Sequence, residues 1–314
     1  MDMLCSDAAL QAFYFKERRN MTNAQCWKRF HNSRELFQES LRAELEPEIP
    51  PEEHRYGAMI AGADGMVCAF DEGFPALNPL APEGERPFLL FYKGSISLLE
   101  DLNKNVAVIG LVNPDDSIME REKSIVRRLV AKHITIVSGL AKGCDAVAHR
   151  TCLEAGGRTI AILPTQLERL YPAENRRLAE EIVENGGLLL TEYAREAKSR
   201  YEAVKRFTDR DRLQAMFSKA VIMIASCRRG EGDSGSRYAM ESAKKYGIKR
   251  YVLFDSEKDG GKAQFGLNQD LLKDSGVKAL CRNSIEDLAT FADMKLSPKM
   301  VEQQIALDMD ETYF

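Results

Sequence analysis

An α/β fold is predicted: a mainly parallel sheet with helices on both faces, plus a small N-terminal helical region. Three features of the 314-residue chain predict it. Short apolar or β-branched runs recur from Val106 to Phe254, and helical stretches separate them. Such alternation implies parallel strands joined by crossover helices. Glycine-bearing turns follow Ile109, Val137 and Ala225, all at the carboxyl ends of strands. Ligands of open α/β sheets bind beyond those ends, where the strand order reverses, so the three turns are expected to share one crevice.

Residues 1–55 read as the small helical region. It ends in the stretch Glu44-Leu-Glu-Pro-Glu-Ile-Pro-Pro-Glu-Glu, whose prolines cannot continue a helix and mark a linker. Residues 56–282 form the main domain. It opens with short apolar pieces, and Pro87–Gly94 is its first clear strand. Val106–Gly110 is the next strand. Met119–Lys132 is a helix, with Ile125, Val126, Leu129 and Val130 on one face. Strand 134–137, helix 143–155 and strand 159–163 follow. Helix 173–185 starts after Pro172, and Leu188–Thr191 is a strand. A helix near 208–219 leads to strand Val221–Ala225, then helix 235–246 and strand Arg250–Phe254. Residues 283–314 are a short tail with one helix over 284–292, too short for a winged-helix domain.

The apolar fraction of 44% and charged fraction of 29% are those of an ordinary soluble protein. No apolar run reaches the roughly 18 residues of a membrane span. The first residues lack a basic stretch followed by an apolar one, so a cytoplasmic location is expected. Seven cysteines without CxxC spacing argue against a disulfide framework and a zinc site. A net charge of −4 gives no global attraction to nucleic acid, so DNA binding needs a local basic surface.

The turn Ser138-Gly-Leu-Ala-Lys-Gly143 suits an anion, because glycine lets the backbone approach and the following helix N-terminus carries partial positive charge. Lys142 adds a full charge. The plainer reading is a strand-to-helix turn that packs well. Asp145 would repel a phosphate there and is expected to meet a sugar hydroxyl or a base donor. His149 as general base is outweighed by a core-edge histidine. Cys144, Ala148 and Cys152 form a small-residue stripe that lets their helix approach the sheet. Residues 198–212 hold the main basic cluster, in which Tyr201 and Phe207 suit base stacking and Glu202, Asp209 and Asp211 dilute the charge. Gly230–Arg237 supplies a second helix N-terminus, with Ser234, Gly235 and Ser236 at its start and Arg237 in its first turn. No G-x-x-x-x-G-K-[ST], HExxH or GxSxG pattern is present, so neither catalysis nor a cofactor is expected.

With these segments in order, the chain resembles the DprA/Smf family of DNA-processing proteins. The resemblance rests on Val106–Gly110 with Asn113-Pro114, Val137–His149, Leu153–Leu163, Tyr171-Pro-Ala-Glu-Asn175, Leu188–Tyr193, Phe207 with Arg210 and Arg212, and Ser234-Gly-Ser236. It covers roughly residues 70–255. It implies an extended Rossmann-like fold, single-stranded DNA as ligand, DNA protection, loading of a RecA-type recombinase, a homodimer and no catalytic step. The implied contacts are Gly110 and Asn113, then Ser138, Gly139, Ala141, Lys142, Gly143 and Asp145. Arg210 and Arg212 follow, and Ser234, Gly235, Ser236 and Arg237 complete the set. The chain departs from the family pattern in three places. Gly110-Leu-Val replaces Gly-Ser-Arg, Asp211 replaces the amide between the two arginines, and Arg237 replaces an apolar residue. A nucleotide-sensing or nucleotide-processing protein of the same superfamily is the alternative, and an interaction scaffold with a degenerate pocket is a third reading.

Overall fold

The structure is a computed structural model describing residues 5–30, 62–232 and 235–288, together with residues 33, 35–37 and 39. The apolar runs become strands β1 (Gly65–Cys68), β2 (Leu89–Gly94), β3 (Asn105–Ile109), β4 (Thr135–Ser138), β5 (Thr159–Ile162), β6 (Leu188–Thr191), β7 (Ala220–Met223), β8 (Lys249–Val252) and β9 (Val277–Ala279). They form one sheet in the order β1-β2-β6-β5-β4-β3-β7-β8-β9. The pairs from β6 through β9 are parallel, whereas β2 lies antiparallel to both β1 and β6. The mainly parallel sheet expected from the alternation is therefore present, with an antiparallel hairpin added at one edge.

Period-two alternation along the strands assigns each side chain to a face. Val106 and Val108 of β3 pack against α3 (Asp116–Ala131) and α4 (Cys144–Glu154). Ala107 and Ile109 point the other way, toward α6 (Arg200–Met216) and α7 (Ser236–Lys245). Cys144, Ala148 and Cys152 are fully buried, so the small-residue stripe does bring α4 close to the sheet. The helix α5 (Arg176–Glu184) shares the first face through Leu178, Ala179 and Ile182.

The N-terminal helices extend that same layer. α1 (Asp7–Phe13) runs into one π turn, and α2 (Asn23–Phe30) follows. Phe13, Trp27 and Phe30 pack edge-on or stacked against Phe91 and Phe88 next to and within β2. The acidic linker and the chain beyond residue 288 lie outside the described residues. The helix α8 (Arg282–Leu288) buries Ile285 and Leu288 in the core shared with α3. Among the described residues no helix is long and apolar enough to cross a membrane.

One helix starts earlier than its pattern predicts. α6 begins at Arg200 rather than near 208, so the basic cluster is helical. Its signal is a capping pattern. Ser199 accepts from the Glu202 N–H at 3.1 Å, and the Glu202 carboxylate accepts from the Lys198 N–H at 2.8 Å. Exposed Tyr201 and Val204 blur the apolar stripe that would otherwise announce the first two turns.

Candidate nucleic-acid interface

β3 is the point at which the strand order reverses: β4, β5 and β6 lie to one side and β7, β8 and β9 to the other. The turns after β3, β4 and β7 therefore open into one crevice. The Cys144 N–H donates to the Leu111 carbonyl at 2.9 Å, and the Ser236 hydroxyl donates to the Gly110 carbonyl at 3.1 Å. Ser138 closes the floor by donating to the Val108 carbonyl at 2.7 Å. Gly143 has a φ of 71°, and a Cβ there would overlap the Leu111 and Val112 carbonyl oxygens. Gly110 is equally confined, because its Cβ would come within 2.6 Å of Cys144 Sγ. Ser138, Ser236 and these glycines thus tie the turns together. Gly235 enters α7 in the left-handed region, at φ 84°. Val112 and Asn113 are exposed at the mouth, and Ser234 lies outside the described residues.

Behind the mouth is a buried charge cluster. Asp145 Oδ2 accepts the N–H groups of Gly139 and Ala141, both at 3.2 Å, and lies 3.8 Å from Arg210 Nη1. Gly139 has no side chain because the Arg210 guanidinium lies against it. Arg210 also pairs through Nε with Asp211 at 2.9 Å and donates to the Ile162 carbonyl. Burial raises the Asp145 pKa, which Arg210 and the turn's N–H groups oppose. Burial pushes Asp211 up to about 7, again against Arg210 and with added repulsion from Asp145. Glu122 of α3, buried near Cys144, is held well above the ordinary carboxylate range by the same desolvation.

A carboxyl whose pKa rises on folding binds its proton more tightly in the native state. Its contribution is present below the unfolded value near 3.8 and is lost as pH rises through about 7. Relative to Asp211→Asn, the wild-type melting temperature should therefore fall by several degrees between pH 5 and 8 (differential scanning calorimetry). A pH-independent difference would show that Asp211 does not titrate between pH 5 and 8.

His149 is wholly buried. Thr159 donates to the Ile136 carbonyl and so accepts from His149 Nδ1 at 2.7 Å, and burial pushes the imidazole down to about 3. It is a neutral core histidine, as the plainer reading expects.

Arg210 and Arg212 point to different places. Two positions on a helix are separated by about 200°, so Arg212 leaves the crevice side altogether. Its Nη2 pairs with Glu192 at 2.8 Å, its Nε donates to the Glu85 carbonyl, and its Nη1 to the Asp209 carbonyl. Glu192 in turn accepts from Asn23 Nδ2 at 2.7 Å, and Asn23 Oδ1 accepts from Lys16. This chain of contacts floors a separate groove of about 760 Å³ between the N-terminal helices, α6 and α7. The rest of the basic cluster is largely self-paired, Lys205 with Asp209 and Arg206 with Glu202, and Arg206 lies 4.1 Å over the Tyr193 ring. Arg237 lies over the Tyr238 ring and donates to its hydroxyl at 2.8 Å.

An aromatic surface adjoins the 138–143 turn. Asn175 Nδ2 donates to the carbonyls of Leu140 and Ala141, and Lys142 pairs with Glu174 at 2.8 Å. The loop so anchored carries Tyr171, which is 58% exposed and meets Phe207 edge-to-face at 5.6 Å. Tyr201 is 80% exposed on α6. Leu170, Tyr171, Ala203 and Phe207 border a hollow of about 250 Å³. Tyr171 is not among the contacts that the sequence implies. The available signal is an aromatic side chain directly before Pro172, in the loop between strand 159–163 and the helix that starts after Pro172.

The family model for DNA recombination-mediator protein A matches residues 65–291. The chain belongs to this family. It is 36% identical over 157 residues to Protein Smf of Synechocystis sp., covering 49% of this chain and 38% of that protein. It is 34% identical over 176 residues to DNA processing protein DprA of Streptococcus pneumoniae, covering 56% and 58%. The matched stretch thus spans less than two thirds of either relative. In three dimensions it is similar to Streptococcus pneumoniae DprA, with TM-score 0.62, 25% identity and coverage of 92% and 93%. It is also similar to Helicobacter pylori DNA processing protein A, solved for that protein's single-stranded DNA binding mode, with TM-score 0.58, 27% identity and coverage of 71% and 95%. Within this family frame the departure after Gly110 has a structural sense. Leu111 is buried in the core beneath α3 and α4, and Val112, which stands where the pattern has arginine, is exposed but uncharged, so that position offers no cation to the crevice.

Proposed function

We propose that the chain binds single-stranded DNA without a chemical step of its own. The observation that carries the reading is the exposed Tyr171 ring, set edge-to-face on half-buried Phe207 and joined to Lys142 by the Asn175 and Glu174 contacts, with Tyr201 exposed further along α6. Bases stack on such side chains while a neighbouring cation takes the phosphate. Exposed Lys198 and Arg200 extend the same end of α6. In this reading Lys142, Asn113 and the aromatic residues touch DNA. Ser138, Gly139, Ala141, Gly143, Asp145, Gly110, Ser236 and Arg210 hold the crevice in shape, and Gly235 and Arg237 belong to its far wall. Family membership supports a further role in protecting single strands and delivering them to a RecA-type recombinase, as a homodimer in the cytoplasm.

The test is fluorescence anisotropy with a labelled oligothymidylate at two salt concentrations. Binding should weaken with salt, because each neutralised phosphate releases counterions. Tyr171→Ala and Phe207→Ala should each weaken binding by about 5- to 150-fold, the equivalent of one lost stacking contact. Tyr171→Ala should leave the melting temperature unchanged. Absence of binding at low salt would overturn the reading.

A further inference from the structure

The 138–143 turn has the shape of an anion cradle, yet its donors are taken. Leu140 sits in the left-handed region at φ 58°. Successive N–H groups around such a residue converge on one point, the concavity that elsewhere receives phosphate. Here the Gly139 and Ala141 N–H groups converge on a single carboxylate oxygen of Asp145, at 3.2 Å each. The Cys144 N–H, first in α4, is engaged by the Leu111 carbonyl. Arg210, the buried cation packed against Gly139, faces the same Asp145 oxygen and is clamped from behind by Asp211. Asp145 is only 7% exposed, and α4 fixes its position from the first turn.

We infer that Asp145 is a built-in anion that fills this cradle and makes the crevice refuse free phosphate and mononucleotides. A phosphate entering the turn would meet a carboxylate rather than donors, and the Arg210 guanidinium that could offset it is already engaged by Asp145 and Asp211. Two negative groups so close inside a low-dielectric site repel strongly. Asp145 is therefore a specificity-determining residue. It discriminates against small phosphate-bearing ligands and leaves nucleic-acid phosphates to the exposed rim at Lys142. Only that last clause rests on the single-stranded DNA reading.

Removal of the internal anion should turn the cradle into a real anion site. Thermal melting would compare wild type with Asp145→Ala in chloride and in inorganic phosphate at equal ionic strength. Asp145→Ala should melt lower than wild type in chloride and recover by several degrees, saturably, in phosphate. The wild type should not respond. Asp145→Ser is the second variant should the alanine protein fail to fold in chloride, and the same contrast is expected of it. A saturable rise in the wild type with phosphate or thymidine monophosphate would overturn the inference. So would folded variants that respond no more than wild type. Phosphate melting is independent of oligonucleotide anisotropy, so failure here and failure of DNA binding are told apart.

Discussion

Arg212→Ala is expected to lower stability by about 3–5 kcal/mol, the cost of breaking a buried ion pair from one side. The guanidinium makes three kinds of contact from one position: the Glu192 carboxylate, the Glu85 carbonyl and the Asp209 carbonyl. Its loss leaves Glu192 buried, with Asn23 as its remaining donor. Urea unfolding would read the change directly. A double-mutant cycle with Glu192→Ala should show strong coupling, with the double variant less destabilised than the sum of the single ones. Arg212→Lys should recover little, since an ammonium cannot reproduce a planar fork aimed at three acceptors. A near-neutral Arg212→Ala would mean that the pair contributes nothing to the folded state. The sequence suggests that Arg210 and Arg212 could be removed together to weaken DNA binding without unfolding the chain. Their burial and pairing make the double variant a stability lesion first.

Gly143→Ala should be nearly as damaging, at about 3 kcal/mol or more from backbone strain and overpacking combined. The residue sits at φ 71° and ψ −129°, a conformation that L side chains rarely adopt. A methyl group would also overlap two backbone carbonyl oxygens, at Leu111 and Val112, which no rotamer change can move aside. Because those carbonyls belong to the turn after β3, the lesion should spread from one turn to the next. Hydrogen exchange should show faster opening of residues 110–113 together with the first turn of α4. As a contrast, Gly230→Ala has open space around it and carries only the cost of its own positive φ.

Much of the architecture is legible because it follows from patterning. The β-branched runs at Val106–Ile109, Ile134–Val137 and Val221–Ala225 are buried on both faces, as continuous apolar strands must be. The meeting of three turns in one crevice follows from their place after strands on either side of the reversal. The strands β1 and β9 are harder to read. Each has four residues or fewer, and β9 exposes Lys278 and Ala279 at the sheet edge, so no alternation marks it. The antiparallel pairing of β2 with β6 joins segments nearly a hundred residues apart and leaves no local trace.

The site is less legible than the fold, and for a definite reason. Spacing identifies residue types but not the direction in which they point. Arg210 and Arg212 look like one basic pair until α6 is known to begin at Arg200, after which helical geometry sends them to opposite sides. Asp145 reads as a ligand contact from its place beside a glycine turn, and only the 3.2 Å contacts reveal that it serves the turn itself. Lys205 and Arg206 count as positive charge in the sequence and are neutralised by acids four positions away on the same helix. Tyr171 and Phe207 are far apart in sequence and form one surface only when β5 and α6 are brought together.

The opposed arginines of α6 bear on how the family signature is to be interpreted. In this chain each is held by partners from distant segments: Arg210 by Asp145, and Arg212 by Glu192, which Asn23 supports in turn. A change at one of those positions strands a charge at another. The Arg-x-Arg signature therefore certifies an architecture. The pair marks how this chain is held together, and its presence in a sequence does not by itself say what is bound.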